Sequence, residues 1–301
     1  MKNVHLYKVA DLNFKILFTD NSADESMLPS FTPFKIYDAE DTIFNLSVGE
    51  YLTPFETDAQ LIGKFNCGGA DHEIFKRLNS GYIIRIYSPE GVLSCVLHTD
   101  ECFKHCEASV YNNSDNKRFG LNNAIMICFS FSGAAQQVLM IHASVPMLKD
   151  KAYLFLGKSG TGKSTHCKLW LNNIEGADLL NDDNPAVRIL SNGDIKVYGT
   201  PWSGKTPCYR PISRNVGGFL KLEQFPKNII NQLPPVQAMA EVLASCSVMI
   251  WDKRSYQMIC ETVIKIVQHI GVWHLKNLPN IEACRMSYQA MVHDDENNKC
   301  S

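Results

Sequence analysis

The chain has 301 residues, 45% of them hydrophobic and 20% charged, which excludes a disordered chain and allows one large or two modest domains. Its formal net charge of -2 gives no electrostatic basis for binding nucleic acid or an anionic membrane. No apolar run approaches membrane-spanning length, the first residues lack a secretory hydrophobic region, and eleven cysteines follow no regular spacing, so we expect a cytoplasmic protein with reduced thiols.

Residues 1–115 are predicted to form a smaller, β-rich N-terminal domain. Runs typical of short strands occur at 14–18, 43–48, 82–87 and 93–97. A Pro-Glu-Gly turn signal between the last two runs predicts that they form a hairpin. The polar stretch 112–117 is the most linker-like segment of the chain, and it is predicted to lead into a second domain, 116–301.

The second domain is predicted to be of the α/β class. It begins with an apolar segment, 121–139, which is predicted to be a buried helix contributing core side chains, namely Met126, Cys128, Phe129 and Phe131. Residues 138–142 and 152–156 are predicted to be adjacent strands, and an Asn-Gly turn indicates a hairpin at 189–198. Further strands are predicted at 178–183, 217–222 and 272–275, and helices at 236–249, 255–270 and 281–291.

A complete phosphate-binding loop occupies residues 157–164, which read Gly-Lys-Ser-Gly-Thr-Gly-Lys-Ser. An apolar strand precedes it and a predicted helix follows, so backbone N–H groups and the helix N-terminus point at one place where polyphosphate oxygens can bind. Lys163 can reach the β- and γ-phosphates, and the Ser164 hydroxyl can bind Mg²⁺. The residues expected to bind a nucleoside triphosphate are Gly157, Ser159, Gly160, Thr161, Gly162, Lys163, Ser164 and Thr165.

Two neighbouring carboxylates, Asp182 and Asp183, follow the strand predicted at 178–183. A phosphate loop needs a divalent ion held by a carboxylate, and phosphoryl transfer to a hydroxyl needs an acceptor for the hydroxyl proton. The pair can divide these two tasks, so Ser164, Asp182 and Asp183 are the predicted metal-binding residues. Which aspartate performs which task is open at this point, and so is a simpler role in capping the turn before Asn184.

Three further polar residues are candidates for the site. His142 ends the strand predicted before the loop strand, so it is either a histidine hydrogen-bonded within the sheet or a side chain near the γ-phosphate. A second loop rich in Gly, Pro and Ser, 199–207, contains Lys205 and is followed by Arg210. These two cations either close over the phosphates and stabilise transition-state charge or are ordinary solvated surface residues.

At these residues the chain resembles the HPr kinase/phosphorylase family, within the larger group that shares the phosphoenolpyruvate carboxykinase nucleotide-binding fold. The shared pattern is Ile141-His142 at the end of a strand, the loop at 157–164 in the form Gly-x-Ser-Gly-x-Gly-Lys-Ser, and Leu-x-x-Asp-Asp at 179–183. The resemblance covers about 138–223, weakens from there to residue 291, and does not extend to the N-terminal domain.

The resemblance implies a phosphoenolpyruvate carboxykinase-like P-loop domain that transfers the γ-phosphoryl group of ATP, with Mg²⁺, to a serine hydroxyl. It implies an active site formed by His142, Lys163, Ser164, Asp182 and Asp183, with an aspartate as the base. HPr kinases assemble into hexamers, so a homo-oligomer is among the states that the resemblance leaves open for this chain.

The expected phosphoryl acceptor differs from HPr itself. Ala143 follows His142 where HPr kinases usually have Gly, and residues 200–206 stand where those kinases have a basic segment that contacts the acceptor protein. We therefore expect a serine in another protein, in a ribosomally made peptide, or as the free amino acid. Two alternatives stay open: a small ATP-dependent carboxykinase that forms phosphoenolpyruvate, and a non-catalytic module in which ATP acts as a switch.

Overall fold

The computed structural model describes residues 3–49, 51–54, 59–67, 70–78, 81–204 and 206–293. The chain divides into two compact units, Met1–Ala135 and Gln136–Ser301, and each contains a mixed sheet of nine strands. The expected domain boundary at 115/116 falls in the first turn of a helix, Ser114–Gly133 (α1), and the whole of this helix lies in the first unit. Both units therefore belong to the mixed α/β class.

The sheet of the first unit consists of β1 (Asn3–Val9), β2 (Leu12–Phe18), β3 (Lys35–Ile36), β4 (Asn45–Val48), β5 (Ala59–Cys67), β6 (Ala70–Arg77), β7 (Tyr82–Tyr87), β8 (Leu93–Thr99) and β9 (His105–Val110). Their spatial order is β3-β1-β2-β4-β9-β8-β7-β6-β5. Among the described strands of this sheet, β4 runs parallel to both of its neighbours, β2 and β9, and the other pairs are antiparallel. β7 and β8 are antiparallel partners, which confirms the predicted hairpin.

Helix α1 shows why the linker predicted at 112–117 is wrong. The Asn113 side chain accepts a hydrogen bond from the backbone N–H of Asn116 at 3.0 Å, so the polar residues there cap and begin a helix. Further along α1, Cys128 and Phe129 are fully buried, which confirms their predicted place in a core. α1 packs against β8 and β9, so its apolar side chains cover the sheet of the first unit.

The second unit contains β10 (Val138–Met140), β11 (Ala143–Leu148), β12 (Lys151–Leu156), β13 (Asp178–Asn181), β14 (Ala186–Ile189), β15 (Ile195–Tyr198), β16 (Ser213–Gln224), β17 (Ile229–Gln232) and β18 (Val272–Asn277). Its helices are α2 (Lys163–Asn173), α3 (Pro235–Leu243), α4 (Lys253–Val267) and α5 (Ile281–Tyr288). The strand order is β10-β14-β15-β16-β12-β11-β13, and β18 pairs with both β16 and β17. β12 is parallel to β16 and antiparallel to β11.

The prediction that 138–142 and 152–156 are adjacent strands is wrong. The strands beside β12 are β16 and β11, and the tight turn at Lys149 and Asp150 joins β11 to β12. β10 instead pairs with β14. His142 consequently lies in the short connection between β10 and β11, where its backbone N–H bonds to the carbonyl of Ser245 at 2.8 Å. The predicted hairpin with the Asn-Gly turn is confirmed as β14 and β15.

The predicted C-terminal helices are confirmed in type and appear as α3, α4 and α5, with somewhat different ends. The largest difference is at α3, which ends at Leu243 rather than at Met249. In the part of the chain that the structure describes, no helix combines the length and the apolar character needed to cross a membrane.

Packing of α2 and α5 against the sheet fixes the position of the phosphate-binding loop. Trp170 on α2 is fully buried. The centroid of its ring lies 5.2 Å from that of Tyr153 and 5.3 Å from that of Phe155, and both of these residues are on β12. The Nε1–H of Trp170 donates to the Ser287 hydroxyl on α5 at 2.9 Å. An indole of this size buries enough apolar surface to hold α2 firmly on the sheet.

Candidate functional site

The site begins at the end of β12, where the chain makes a tight turn into α2. All three of the turn's glycines have backbone angles that other residues rarely adopt: Gly157 has φ 149°, Gly160 has φ 83° and Gly162 has φ 99°. A β-carbon on Gly157 would lie 2.5 Å from the Thr161 hydroxyl oxygen, which is a clash. Gly162 caps α2 in the left-handed region, so Lys163 and Ser164 stand in the first turn of the helix. The glycine spacing is therefore what this loop geometry requires.

Lys163 is buried, with 8% of its surface exposed, and its ammonium is hydrogen-bonded to the loop backbone and to His142. Its Nζ donates to the backbone carbonyl of Gly157 at 2.8 Å and lies 3.4 Å from the carbonyl oxygen of Lys158. It also lies 2.9 Å from Nε2 of His142. Burial lowers the pKa of this ammonium, while the negative charges of Asp183 and Asp182 act in the opposite direction.

His142 connects Lys163 to the acid pair. Its Nδ1 lies 3.0 Å from Oδ1 of Asp183, while its Nε2 faces the Lys163 ammonium. An ammonium donates but does not accept, so Nε2 accepts from Lys163 and the ring proton on Nδ1 donates to the carboxylate. The other oxygen of Asp183 accepts from the Asn184 side-chain amide at 2.9 Å. His142 thus belongs to the site, which favours the functional alternative over a histidine bonded only within the sheet.

Asp182 is reached from α2 by a second chain of contacts, through Ser144. The Ser144 hydroxyl donates to Oδ1 of Asp182 at 2.7 Å and lies 3.4 Å from the hydroxyl oxygen of Ser164. Ser144 is completely buried and Asp182 is 8% exposed. Sequence reasoning missed Ser144, although a signal existed: it is the one polar residue in the apolar strand β11, two positions after His142.

Residues on both sides of the acid pair hold its backbone in place. The buried Asn181 side chain accepts from the backbone N–H of Asp183 at 2.9 Å and donates to the Thr200 hydroxyl at 3.1 Å. Thr200 in turn donates to the carbonyl of Asn184 at 2.7 Å. The following loop lies directly on the pair, because a β-carbon at Gly204 would be 3.1 Å from the Asp182 carbonyl oxygen.

Of the two cations expected from the second loop, Arg210 does not join this group. Arg210 forms an ion pair with Asp178 at the beginning of β13, whereas the acid pair follows the end of that strand. Lys205 lies outside the described residues. Of the candidate residues, the structure therefore brings together His142, Lys163, Ser164, Asp182 and Asp183.

A cleft of about 560 Å³ also borders the loop at 157–164. Its lining includes residues 160–162, Thr165 and His166, but not Lys163, Ser164 or the two aspartates. The rest of its lining comes from two short segments at the ends of β16 and β18, 224–226 and 277–279. The Gln224 side chain donates to the carbonyl of Gly160 at 3.0 Å and so ties one wall to the loop.

Neither the scan against protein-family models nor the search of curated proteins finds a match for this chain. The chemistry of the site itself is therefore the basis for inferring function.

Proposed function

We propose that the protein is an ATP- and Mg²⁺-dependent kinase that transfers the γ-phosphoryl group to a serine hydroxyl of a protein, a peptide or a small molecule. In this proposal the second unit is a P-loop domain of the phosphoenolpyruvate carboxykinase type, similar to that of HPr kinase/phosphorylase. The observation that carries the proposal is the convergence of the first turn of α2 on both aspartates, through His142 to Asp183 and through Ser144 to Asp182.

The loop and Lys163 are assigned to the polyphosphate. A buried ammonium is costly unless it is paired with a negative charge. Phosphate oxygens next to the loop would pair with it and would also accept hydrogen bonds from the loop N–H groups. In this assignment the Lys163 side chain exchanges its contacts with the loop carbonyls for the β- and γ-phosphoryl oxygens.

Ser164 and Asp182 are the residues that would hold Mg²⁺. Both offer hard oxygen ligands, and Mg²⁺ is usually held by one or two carboxylates together with substrate phosphates and water. The contact of Ser144 with both side chains supports their acting on one ion. When bound, Mg²⁺ supplies neutralisation of charge between the β- and γ-phosphoryl groups.

Asp183 is assigned as the acceptor of the serine proton. Its side chain is 33% exposed, so a substrate hydroxyl can approach it, whereas Asp182 is buried. The hydrogen bond from Nδ1 of His142 orients the carboxylate, and the bond from the Asp183 backbone N–H to the Asn181 side-chain oxygen fixes its position. His142 is accordingly a positioning residue in this mechanism.

The Asp183→Asn variant tests the proposal. Loss of the proton acceptor is expected to lower phosphoryl transfer by at least about 100-fold, while the dissociation constant for MgATP stays within about twofold of the wild type. Transfer of labelled γ-phosphate to free serine, a serine-containing peptide and a protein is the measurement. Asp194→Asn is the matched control, because Asp194 lies in the turn between β14 and β15.

The outcomes separate the candidate functions. Equal transfer by wild type and Asp183→Asn would contradict the role given to Asp183. MgATP binding without transfer to any acceptor would indicate a nucleotide-dependent switch, and formation of phosphoenolpyruvate from oxaloacetate would indicate a carboxykinase.

The Lys163→Ala variant tests the nucleotide site separately. Removing the ammonium is expected to weaken MgATP binding by more than about tenfold, because a charge-assisted contact to the phosphates is lost. Isothermal titration calorimetry measures the dissociation constant. Lys168→Ala, at an exposed position of the same helix, is the control, and equal affinities of Lys163→Ala and the wild type would contradict the loop assignment.

A further inference from the structure

A second cleft, of about 350 Å³, lies in the second unit at the beginning of β12 and β16 and carries an excess of positive charge. Three cations and one carboxylate are among its lining residues, which are Lys149, Asp150, Lys196, Ser213, Arg214 and Asn215. Lys196 and Arg214 are half-buried, whereas Lys149 and Asn215 are exposed. Because the whole chain has a formal net charge of -2, this positive region is a local feature of the surface.

The backbone holds the Arg214 guanidinium in position. Its Nε donates to the carbonyl of Lys149 at 3.1 Å, and its Nη1 donates to the carbonyl of Ser213 at 2.8 Å. These bonds use two of the five N–H groups of a guanidinium, so the others can bind an anion. Asp178 lies close enough for Arg214 to act on its carboxylate, but the ion pair of Asp178 is with Arg210.

Beside this cleft, cations form a row across four neighbouring strands. Lys196 on β15 lies directly opposite Arg188 on β14. On its other side Lys196 lies opposite Asn215 on β16, which in turn lies opposite Lys151 on β12. Residues opposite one another project from the same face of a sheet, so this cationic row presents three positive charges and one amide on one face. Like charges directly opposite one another repel, and an anion lying over the row would reduce this repulsion.

The dimensions of the cationic row favour an elongated ligand. Neighbouring strands are about 4.8 Å apart, so the row extends over about 14 Å from Arg188 to Lys151. A single phosphate or carboxylate group can contact only one or two cations of such a row. In an extended peptide, alternate side chains stand on the same side about 7 Å apart, so acidic residues at three alternate positions match the length of the row.

We propose that the cationic row and the cleft beside it form a docking site for an extended acidic segment of the phosphoryl acceptor. The inference rests on the proposed kinase function, because that function requires an acceptor. The row reaches β12 at its first residue, Lys151, and the phosphate-binding loop follows its last residue, so about 20 Å separates the two. The acidic segment and the serine are therefore at least about six extended residues apart in the acceptor.

Binding of a short acidic peptide tests the docking site without nucleotide. Fluorescence anisotropy compares a labelled Glu-Ala-Glu-Ala-Glu peptide with its Gln-Ala-Gln-Ala-Gln counterpart, and wild type is expected to bind the acidic peptide at least about tenfold more tightly. Lys196→Gln is expected to weaken this binding about threefold, and the double variant Lys151→Gln/Lys196→Gln about tenfold. Lys227→Gln is the control, because Lys227 is exposed in the turn that follows the other end of β16.

Equal binding of the two peptides by wild type, or unchanged affinity in the double variant, would overturn the docking site. Tighter binding of a single-stranded oligothymidylate than of the acidic peptide would indicate a nucleic-acid site and would overturn it as well.

Phosphoryl transfer then tests the link to the acceptor. In a peptide with a serine eight residues from the acidic run, the KM of wild type is expected to be about tenfold lower than with the glutamine run, at an unchanged kcat. An equal KM for both peptides would contradict docking of the acceptor at this site. Selective binding of the acidic peptide without transfer to any serine would contradict the proposed kinase function alone, which is a distinguishable result.

Discussion

Ser144 has a single hydroxyl proton, and its surroundings determine where that proton goes. An ionised carboxylate can only accept, so Ser144 donates to Asp182 and can accept only from Ser164. This arrangement leaves the lone pairs of the Ser164 oxygen available to a cation. One buried hydroxyl therefore orients both oxygen ligands that we assign to Mg²⁺, although it contacts no substrate itself.

The Ser144→Ala variant is expected to act through the metal rather than through the nucleotide. Without the hydroxyl, Asp182 loses a hydrogen bond in a buried place, and the Mg²⁺ concentration for half-maximal transfer should rise about tenfold. The rate of transfer, measured against Mg²⁺ concentration, checks this, with the exposed Ser191→Ala as control. An unchanged Mg²⁺ dependence would show that Ser144 has no part in positioning the ligands.

Among the elements, α2 depends on the C-terminal helix for its position. His166 and Trp170, one turn apart on α2, both bond to the hydroxyl of Ser287 on α5. The His166 ring also stands edge-on to Phe155 of β12, with ring centroids 5.0 Å apart. Because the loop leads directly into α2, these interior contacts determine where Lys163 and Ser164 stand.

Burial of His166 predicts a pH dependence of the second unit's stability. Unfolded histidine takes up a proton near pH 6.5, whereas in the folded protein the pKa of His166 is lowered to about 4. The unfolded state therefore binds more protons between these values, so stability falls as the pH drops from 6.5 to 4, by at most about 3 kcal/mol. In His166→Gln this loss should be smaller.

Urea unfolding between pH 4.5 and 7.5, followed by tryptophan fluorescence, measures this effect. All four tryptophans, Trp170, Trp202, Trp251 and Trp273, belong to the second unit, so the signal reports on that unit. At pH 7.5 the unfolding free energies of wild type and His166→Gln should differ only because the two side chains pack and form hydrogen bonds differently. If the two proteins lose stability in parallel as the pH falls, the titration of His166 is not the cause.

For the molecule as a whole, all side chains of the proposed site belong to one of the two units. A ligand that binds only the folded form stabilises the unit that holds it, by about 2.7 kcal/mol at 100 times its dissociation constant. MgATP is therefore expected to slow hydrogen exchange in β12 and α2 and to leave β7 and β8 unchanged. Lys163→Ala is the control, and equal slowing in both units would mean that they unfold together.

Local signals explain what could be predicted from the sequence. The loop at 157–164 was predictable, because its glycines stand at fixed positions where the backbone adopts angles that other residues rarely adopt. The apolar run before the loop is typical of a buried strand. The capping role of Asn113 was misinterpreted, because a cluster of polar residues is typical of both a linker and a helix start.

Non-local pairing explains most of what could not be predicted. The pairing of β12 with β11 is set by the short turn at Lys149 and Asp150, while β10, next to His142 in sequence, pairs with the distant β14. The contact of Ser144 with Asp182 joins residues 38 positions apart, which no periodicity signals. Arg210 follows the loop that packs on the acid pair but binds at the other end of β13.

The Lys163 ammonium has three N–H groups and three hydrogen-bond acceptors around it, namely Nε2 of His142 and the carbonyl oxygens of Gly157 and Lys158. An incoming anion therefore has to replace internal partners of Lys163, so the net gain in binding free energy is smaller than it would be for an unpaired ammonium. Orthophosphate, with few contacts to offer in return, should compete poorly. A ligand long enough to contact both the loop and a further part of the site binds more tightly, because its additional contacts compensate for the partners that Lys163 loses. Lys163 therefore selects ligands by length as well as by charge.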